Sequence, residues 1–66
     1  MADTPERGET QFIEAGFEDR VRDLFKTFAE AMYTGEPERD AATRFRRGLI
    51  SARRARAAAF EVAKEE

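Results

Sequence analysis

The sequence contains no cysteine, no histidine and no tryptophan. No disulfide can therefore stabilise the fold, and the two side chains that zinc and other transition metals favour are both missing. No apolar run approaches the roughly 20 residues of a membrane-spanning helix, and the start "MADTPERGET" is polar and acidic, unlike a signal peptide. These absences predict a soluble, cytoplasmic protein that needs no cofactor and binds no membrane.

A chain of 66 residues has a size at which one hydrophobic core is marginal, so disulfides, metals or association usually add stability. Because this composition serves the first two sources poorly, association is the source that remains. We expect the chain to bind itself, as a dimer or higher oligomer, or to bind a larger protein. Arginine outnumbers lysine and alanine is abundant, which suggests a GC-rich genome of a bacterium or phage.

Charge is strongly segregated along the chain, although the formal net charge is only -2. Residues 1–43 carry 11 acidic and 5 basic side chains, whereas residues 44–56 carry 6 arginines and no acid. Residues 57–66 carry 3 acidic side chains and one lysine. The chain is therefore charge-segregated rather than basic, and ion pairing between its segments competes with nucleic-acid binding as the role of the arginines.

The strongest pattern is a helical repeat of apolar residues in "QFIEAGFEDRVRDLFKTFAEAMY". At about 100° per residue these side chains fall within an arc of roughly 120°, the width of a core-facing stripe. This spacing indicates packing against other helices rather than stacking on bases. The stripe consists of Ile13, Phe17, Val21, Leu24, Phe25, Phe28, Ala31 and Met32.

A stop signal and a start signal follow in "TGEPERD". Gly35 suits the left-handed residue after a helix end, and Pro37 suits the first turn of the next helix. So short a connection requires the second helix to return antiparallel to the first. We predict a flexible arm over residues 1–9 and a hairpin over residues 10–66, with helices over 10–34 and 37–64 joined by a turn at 35–36.

The second helix has a weaker apolar side, formed by Phe45, Leu49, Phe60 and several alanines. Gly48 lies mid-helix, where it favours close approach of the two backbones. An alanine-rich helix cannot cover all the phenylalanines of the first helix, so the uncovered part needs another chain. We therefore predict an all-α, two-helix antiparallel hairpin that associates into a four-helix bundle or docks on a larger protein.

This predicted layout resembles the dimeric two-helix hairpin of the plasmid RNA-binding protein Rop. The resemblance covers the arrangement of the helices and extends to no residue motif, so it implies a bundle and carries no function.

Ion pairs across the hairpin follow from its register. With one helix ending near Tyr33 and the next starting near Glu38, facing positions have numbers that sum to about 71. Arg56 is then expected to pair with Glu14, and Arg53 with Glu18. Four further arginines have no such partner and are candidates to bind phosphates or acidic side chains of a partner: Arg44, Arg46, Arg47 and Arg54.

Catalysis requires a nucleophile, a tunable acid or base, or a metal. Ser51, Tyr33 and a few threonines have no histidine to activate them, so we expect no enzyme activity and no catalytic residue. A carboxylate-only magnesium or calcium site at Glu14, Glu18, Asp19 and Asp23 is left open. The sequence favours a non-catalytic interaction protein, such as a regulator, accessory subunit or assembly factor. The alternative is a nucleic-acid-binding hairpin that uses the outward arginines.

Overall fold

The computed structural model describes the backbone of residues 5–65 and the side chains of residues 9–65. It contains helix α1, Pro5–Tyr33, and helix α2, Glu38–Lys64, which pack against each other as a hairpin. The described residues include no strand. The predicted all-α hairpin is therefore confirmed. Within the same residues, neither helix has a stretch apolar enough to cross a membrane.

Helix α1 begins earlier than the apolar pattern predicts. It starts at Pro5 rather than at Thr10, so residues 5–9, predicted as part of a flexible arm, belong to the helix. Proline is favoured in the first turn of a helix, because its missing N–H has no intrahelical partner there. The rest of the predicted arm, residues 1–4, lies outside the described residues.

The turn between the helices has the geometry that the sequence signals. Gly35 has a positive φ of 89°, which glycine adopts without steric cost. The amide of Glu36 donates to the carbonyl of Ala31 at 3.0 Å, and the amide of Gly35 donates to that of Met32 at 3.2 Å. This pair of bonds is a Schellman motif, which satisfies the last carbonyls of α1. Helix α2 begins at Glu38, so Pro37, predicted as its first residue, is instead the N-cap.

The seam between the helices is made of small side chains. Ala31, Ala41 and Ala52 are the buried hydrophobic residues, with exposures of 7%, 2% and 8%. Gly48 fits directly beneath the side chain of Leu24, as the prediction of close backbone approach requires. The helices therefore meet closely, and the larger apolar side chains lie beside the seam rather than inside it.

The phenylalanines are not buried by the hairpin alone. Phe28 and Phe45 contact each other across the seam, with ring centroids 5.3 Å apart, yet neither is fully buried. Phe25 is 58% exposed and Met32 is 39% exposed. The backbone extends over 52 × 17 × 11 Å, the shape of one layer of two helices. A single layer has no second layer to cover its apolar side.

Candidate protein-binding face

Most apolar side chains of the predicted α1 stripe lie on one side of the two-helix layer. We give positions around α1 as angles from the buried Ala31. Five side chains lie between about 40° and 120° from it, all in the same sense: Phe17, Val21, Phe25, Phe28 and Met32. Ile13 and Leu24 lie closer to the seam and are half-exposed. Helix α1 therefore presents most of its predicted stripe beside the seam, on a single side.

Helix α2 presents its apolar side chains on the same side. The buried Ala52 is the reference for angles around α2. Three side chains lie between about 20° and 80° from it: Phe45, Leu49 and Phe60. Antiparallel helices wind in opposite senses when viewed from one end, so equal displacements from a shared seam emerge on the same side. The contact between Phe28 and Phe45 fixes this side. We call this surface the open face: Phe17, Val21, Phe25, Phe28 and Met32 with Phe45, Leu49 and Phe60.

An ion pair interrupts the open face near the free ends of the helices. Arg56 Nη1 lies 3.6 Å from Glu14 Oε1, the pair that the register predicts. The guanidinium of Arg56 also lies 4.2 Å from the centroid of the Phe17 ring, an attraction between a cation and the negative face of an aromatic ring. With side-chain exposures of 36% and 45%, Arg56 and Glu14 remain partly hydrated.

The predicted pair between Arg53 and Glu18 does not form. Both side chains are exposed, and neither has an ion-pair partner among the described residues. Arg53 lies about 100° around α2 from Ala52, and Glu18 about 140° around α1 from Ala31. Their side chains therefore leave the seam instead of crossing it, although both lie at the same level along the hairpin.

Arg44 has a partner that the register of the hairpin does not predict. Its two terminal nitrogens donate to the two carboxylate oxygens of Glu36, each at 2.8 Å. These bonds hold the pKa of the Glu36 carboxyl below its ordinary value and raise the pKa of Arg44. Such bidentate pairs have a fixed geometry. Arg44, predicted as a contact for phosphates or a partner, is thus engaged in bracing the turn against α2.

Three predicted contact arginines are free of ion pairs within the described part of the chain: Arg46, Arg47 and Arg54. All are exposed. Arg47 and Arg54 lie on the back of α2, about 140° to 160° from Ala52. They share this side with Ile50, which is 47% exposed. The back of α2 is therefore a separate, basic surface.

Two further features of the described residues are the spacing of the carboxylates on α1 and the exposed apolar side chains at the free ends of the helices. Among the described residues of one hairpin, no three carboxylates are grouped closely enough to hold a metal ion. Phe12 and Val62 are 78% and 63% exposed beside a shallow groove at the free ends of the hairpin. Neither residue falls in the main apolar stripe, so the helical repeat does not predict their place beside this groove.

No protein-family model matches the sequence, and searches of curated proteins and of solved structures gave no match. The function is therefore argued from the surfaces of the hairpin alone.

Proposed function

We propose that this protein is a non-catalytic interaction protein, acting as a regulator, accessory subunit or assembly factor that binds protein helices through its open face. The observation that carries the proposal is the exposure of Phe25 and Met32, at 58% and 39%, beside a row of half-exposed phenylalanines. Contiguous apolar surface of this kind marks interaction sites in soluble proteins.

The total surface supports the same proposal. The chain exposes 5356 Å², whereas a compact monomer of 7.5 kDa exposes about 4,200 Å² by the usual scaling of surface with mass. The excess of about 1,100 Å² is larger than the roughly 800 Å² that each partner buries in a standard protein interface. The open face is the largest apolar part of this surface and the natural place for a partner to cover it.

The chemistry of the face also favours binding over catalysis. Its side chains are hydrocarbon and aromatic groups, joined by one ion pair between Arg56 and Glu14. Neither group of that pair is a nucleophile, and the chain has no histidine or cysteine to serve as a base or nucleophile. An apolar face with a charged rim is instead the usual anatomy of a helix-binding surface.

A photo-crosslinking residue tests this proposal. We expect Phe25→p-benzoylphenylalanine to yield discrete protein adducts in living cells, because position 25 lies at the centre of the open face. The matched control is Ile50→p-benzoylphenylalanine, since Ile50 has similar exposure but lies on the back of α2. Absence of adducts from position 25, or identical adducts from both positions, would contradict the proposal.

The exposed arginines of α2 support a second candidate, the binding of nucleic-acid phosphates by Arg47 and Arg54 on its back and by Arg46 at its edge. It is the weaker candidate, because the acidic surface of α1 repels a phosphate backbone. Three arginines from each copy of a dimer would make about six contacts, so log K would fall with log salt at a slope of magnitude about 5 or less on duplex DNA. We expect fluorescence anisotropy near 150 mM salt to show no submicromolar binding. Tight binding that is lost in the triple alanine variant would promote this candidate.

A further inference from the structure

We propose that the occupant of the open face is a second copy of this chain, packed with its turn at the same end of a four-helix bundle. This inference rests on the proposed function, because it names the partner of the same face. A second copy presents an apolar surface of equal length and composition, so two open faces cover each other completely. The surface excess of about 1,100 Å² per chain is enough for a standard two-fold interface.

The ion pair between Arg56 and Glu14 limits what the open face can bind. The two charges lie within the apolar surface and are still 36% and 45% exposed. A purely apolar partner would bury both charges without offering any hydrogen-bonding group. Such burial is unfavourable unless additional polar contacts compensate for the lost water. The partner must therefore supply charges at the level of this pair.

A second copy in the same-end arrangement supplies them. Its two-fold axis runs parallel to the helices, so α1 of each copy packs against α2 of the other and each residue lies level with its counterpart. Glu14 and Arg56 of both copies then meet at one level and alternate around the bundle. Each of the four charges has an opposite charge on both neighbouring helices.

The opposite-end arrangement offers no such compensation. Its axis crosses the helices near Val21, the middle of the length over which they overlap. Glu14, seven residues before Val21, then faces the level of Phe28, seven residues after it. At that level Phe28 packs on Phe45. The charged pair of one copy would be buried against the phenylalanine pair of the other.

The edges of the open face favour the same choice. In the opposite-end arrangement α2 lies beside α2 of the other copy, and like charges along their edges repel. In the same-end arrangement the edge of α2 lies beside α1 of the other copy, where Glu18 is level with Arg53. Both side chains are exposed and have no ion-pair partner among the described residues. The edge of α2 carries the basic side chains of Arg46, Arg53 and Lys64, of which Lys64 also pairs with Glu61 at 3.5 Å.

Distances between spin labels distinguish the two arrangements. The chain has no cysteine, so Tyr33→Cys places one label per chain beside the turn, at a residue that is 91% exposed. With helices spaced 8–10 Å apart, we expect the labels of a same-end dimer to lie within about 30 Å of each other. In the opposite-end dimer the rise of 1.5 Å per residue alone separates them by about 36 Å along the bundle, and the offset across the bundle adds to this. Ile50→Cys is the control, because its mid-length position gives similar distances in both arrangements.

A charge exchange provides the second test. In a same-end dimer, Glu14→Arg and Arg56→Glu each put four like charges at one level. The dimerisation constant of each variant alone should therefore fall by roughly tenfold or more. Mixed together, the two variants should form heterodimers beyond the statistical half, while circular dichroism shows that both remain helical. A long Tyr33→Cys distance, or no preference for heterodimers, overturns the same-end arrangement and leaves the proposed function standing. If the protein is a monomer at every concentration, a second copy is not the occupant of the open face. The crosslinks from position 25 test the proposed function independently of this result.

Discussion

Leu24 of α1 occupies the space that a side chain on Gly48 of α2 would need. An ideal Cβ on Gly48 would lie 3.1 Å from Leu24 Cδ1 and 3.3 Å from Cγ, and it would overlap Cδ2. Gly16 in α1 differs, because a Cβ there would meet nothing within 4 Å. Of these two glycines, Gly48 shapes the seam and Gly16 lies against open space.

These two glycines predict opposite responses to alanine. Alanine is favoured over glycine in a helix interior by about 1 kcal/mol, so we expect Gly16→Ala to stabilise the hairpin by about that amount. Gly48→Ala should lack this gain, because Leu24 must rotate away from the new methyl group. Thermal melts at one protein concentration measure both variants. An equal rise in Tm for Gly16→Ala and Gly48→Ala would contradict the close contact.

Phe28→Ala should have a cost that depends on protein concentration. In the single hairpin Phe28 is half-exposed, so its loss there should cost less than the 3–5 kcal/mol of a fully buried phenylalanine. The full cost should appear only when association covers the open face. Chemical denaturation across a hundredfold range of concentration measures the effect, and Phe12→Ala, at a residue that is 78% exposed, is the control. A cost for Phe28→Ala that stays constant over this range would argue against coverage of the face.

Arg56→Ala should destabilise the hairpin more than Arg54→Ala. Arg56 has both the ion pair with Glu14 and the contact with Phe17, each worth about 0–1 kcal/mol at a hydrated site. Arg54 has neither contact, so its replacement should stay within about 0.5 kcal/mol. Urea denaturation at low concentration, where the hairpin is not associated, provides the comparison. Equal costs for the two variants would show that the contacts of Arg56 contribute nothing.

The pair between Arg44 and Glu36 predicts a loss of stability in acid. The pKa of Glu36 is lowered in the folded chain by its hydrogen bonds with Arg44. Its contribution is therefore present above the ordinary glutamate pKa and is lost as the pH falls through the lowered value. Glu36→Gln should remove this part of the pH dependence, and Glu61→Gln, far from the turn, should not. Melts between neutral and acidic pH measure the difference, and identical pH profiles for wild type and Glu36→Gln would refute it.

Local signals made the layout of the hairpin predictable. Gly35 and Pro37 predict the turn, and the shortness of that turn predicts the register that places Glu14 opposite Arg56. The start of α1 was less predictable, because Pro5 and Thr10 are both acceptable helix starts. Nothing in the intervening sequence stops a helix that has begun at Pro5.

Side-chain direction limited the prediction of contacts. Arg53 and Glu18 lie at the same level along the hairpin, yet their side chains point away from the seam at wide angles. Register alone therefore does not predict whether two facing residues form an ion pair. The bond from Arg44 to Glu36 depends on how the Schellman turn brings the last residues before Pro37 back against α2. That geometry is a property of the folded turn and is not readable from spacing.

The alanine seam also ties the lifetime of the protein to its assembly. Ala31, Ala41 and Ala52 bury little hydrocarbon, so an isolated hairpin opens readily, whereas a covered one is stabilised by mass action. Opened helices are substrates for proteases. We expect unassembled copies to be degraded rapidly and assembled copies to persist, which pulse-chase labelling at low and high expression would measure as a longer half-life at high expression. Because the seam buries so little apolar surface, the cell could degrade surplus subunits without a dedicated degradation signal.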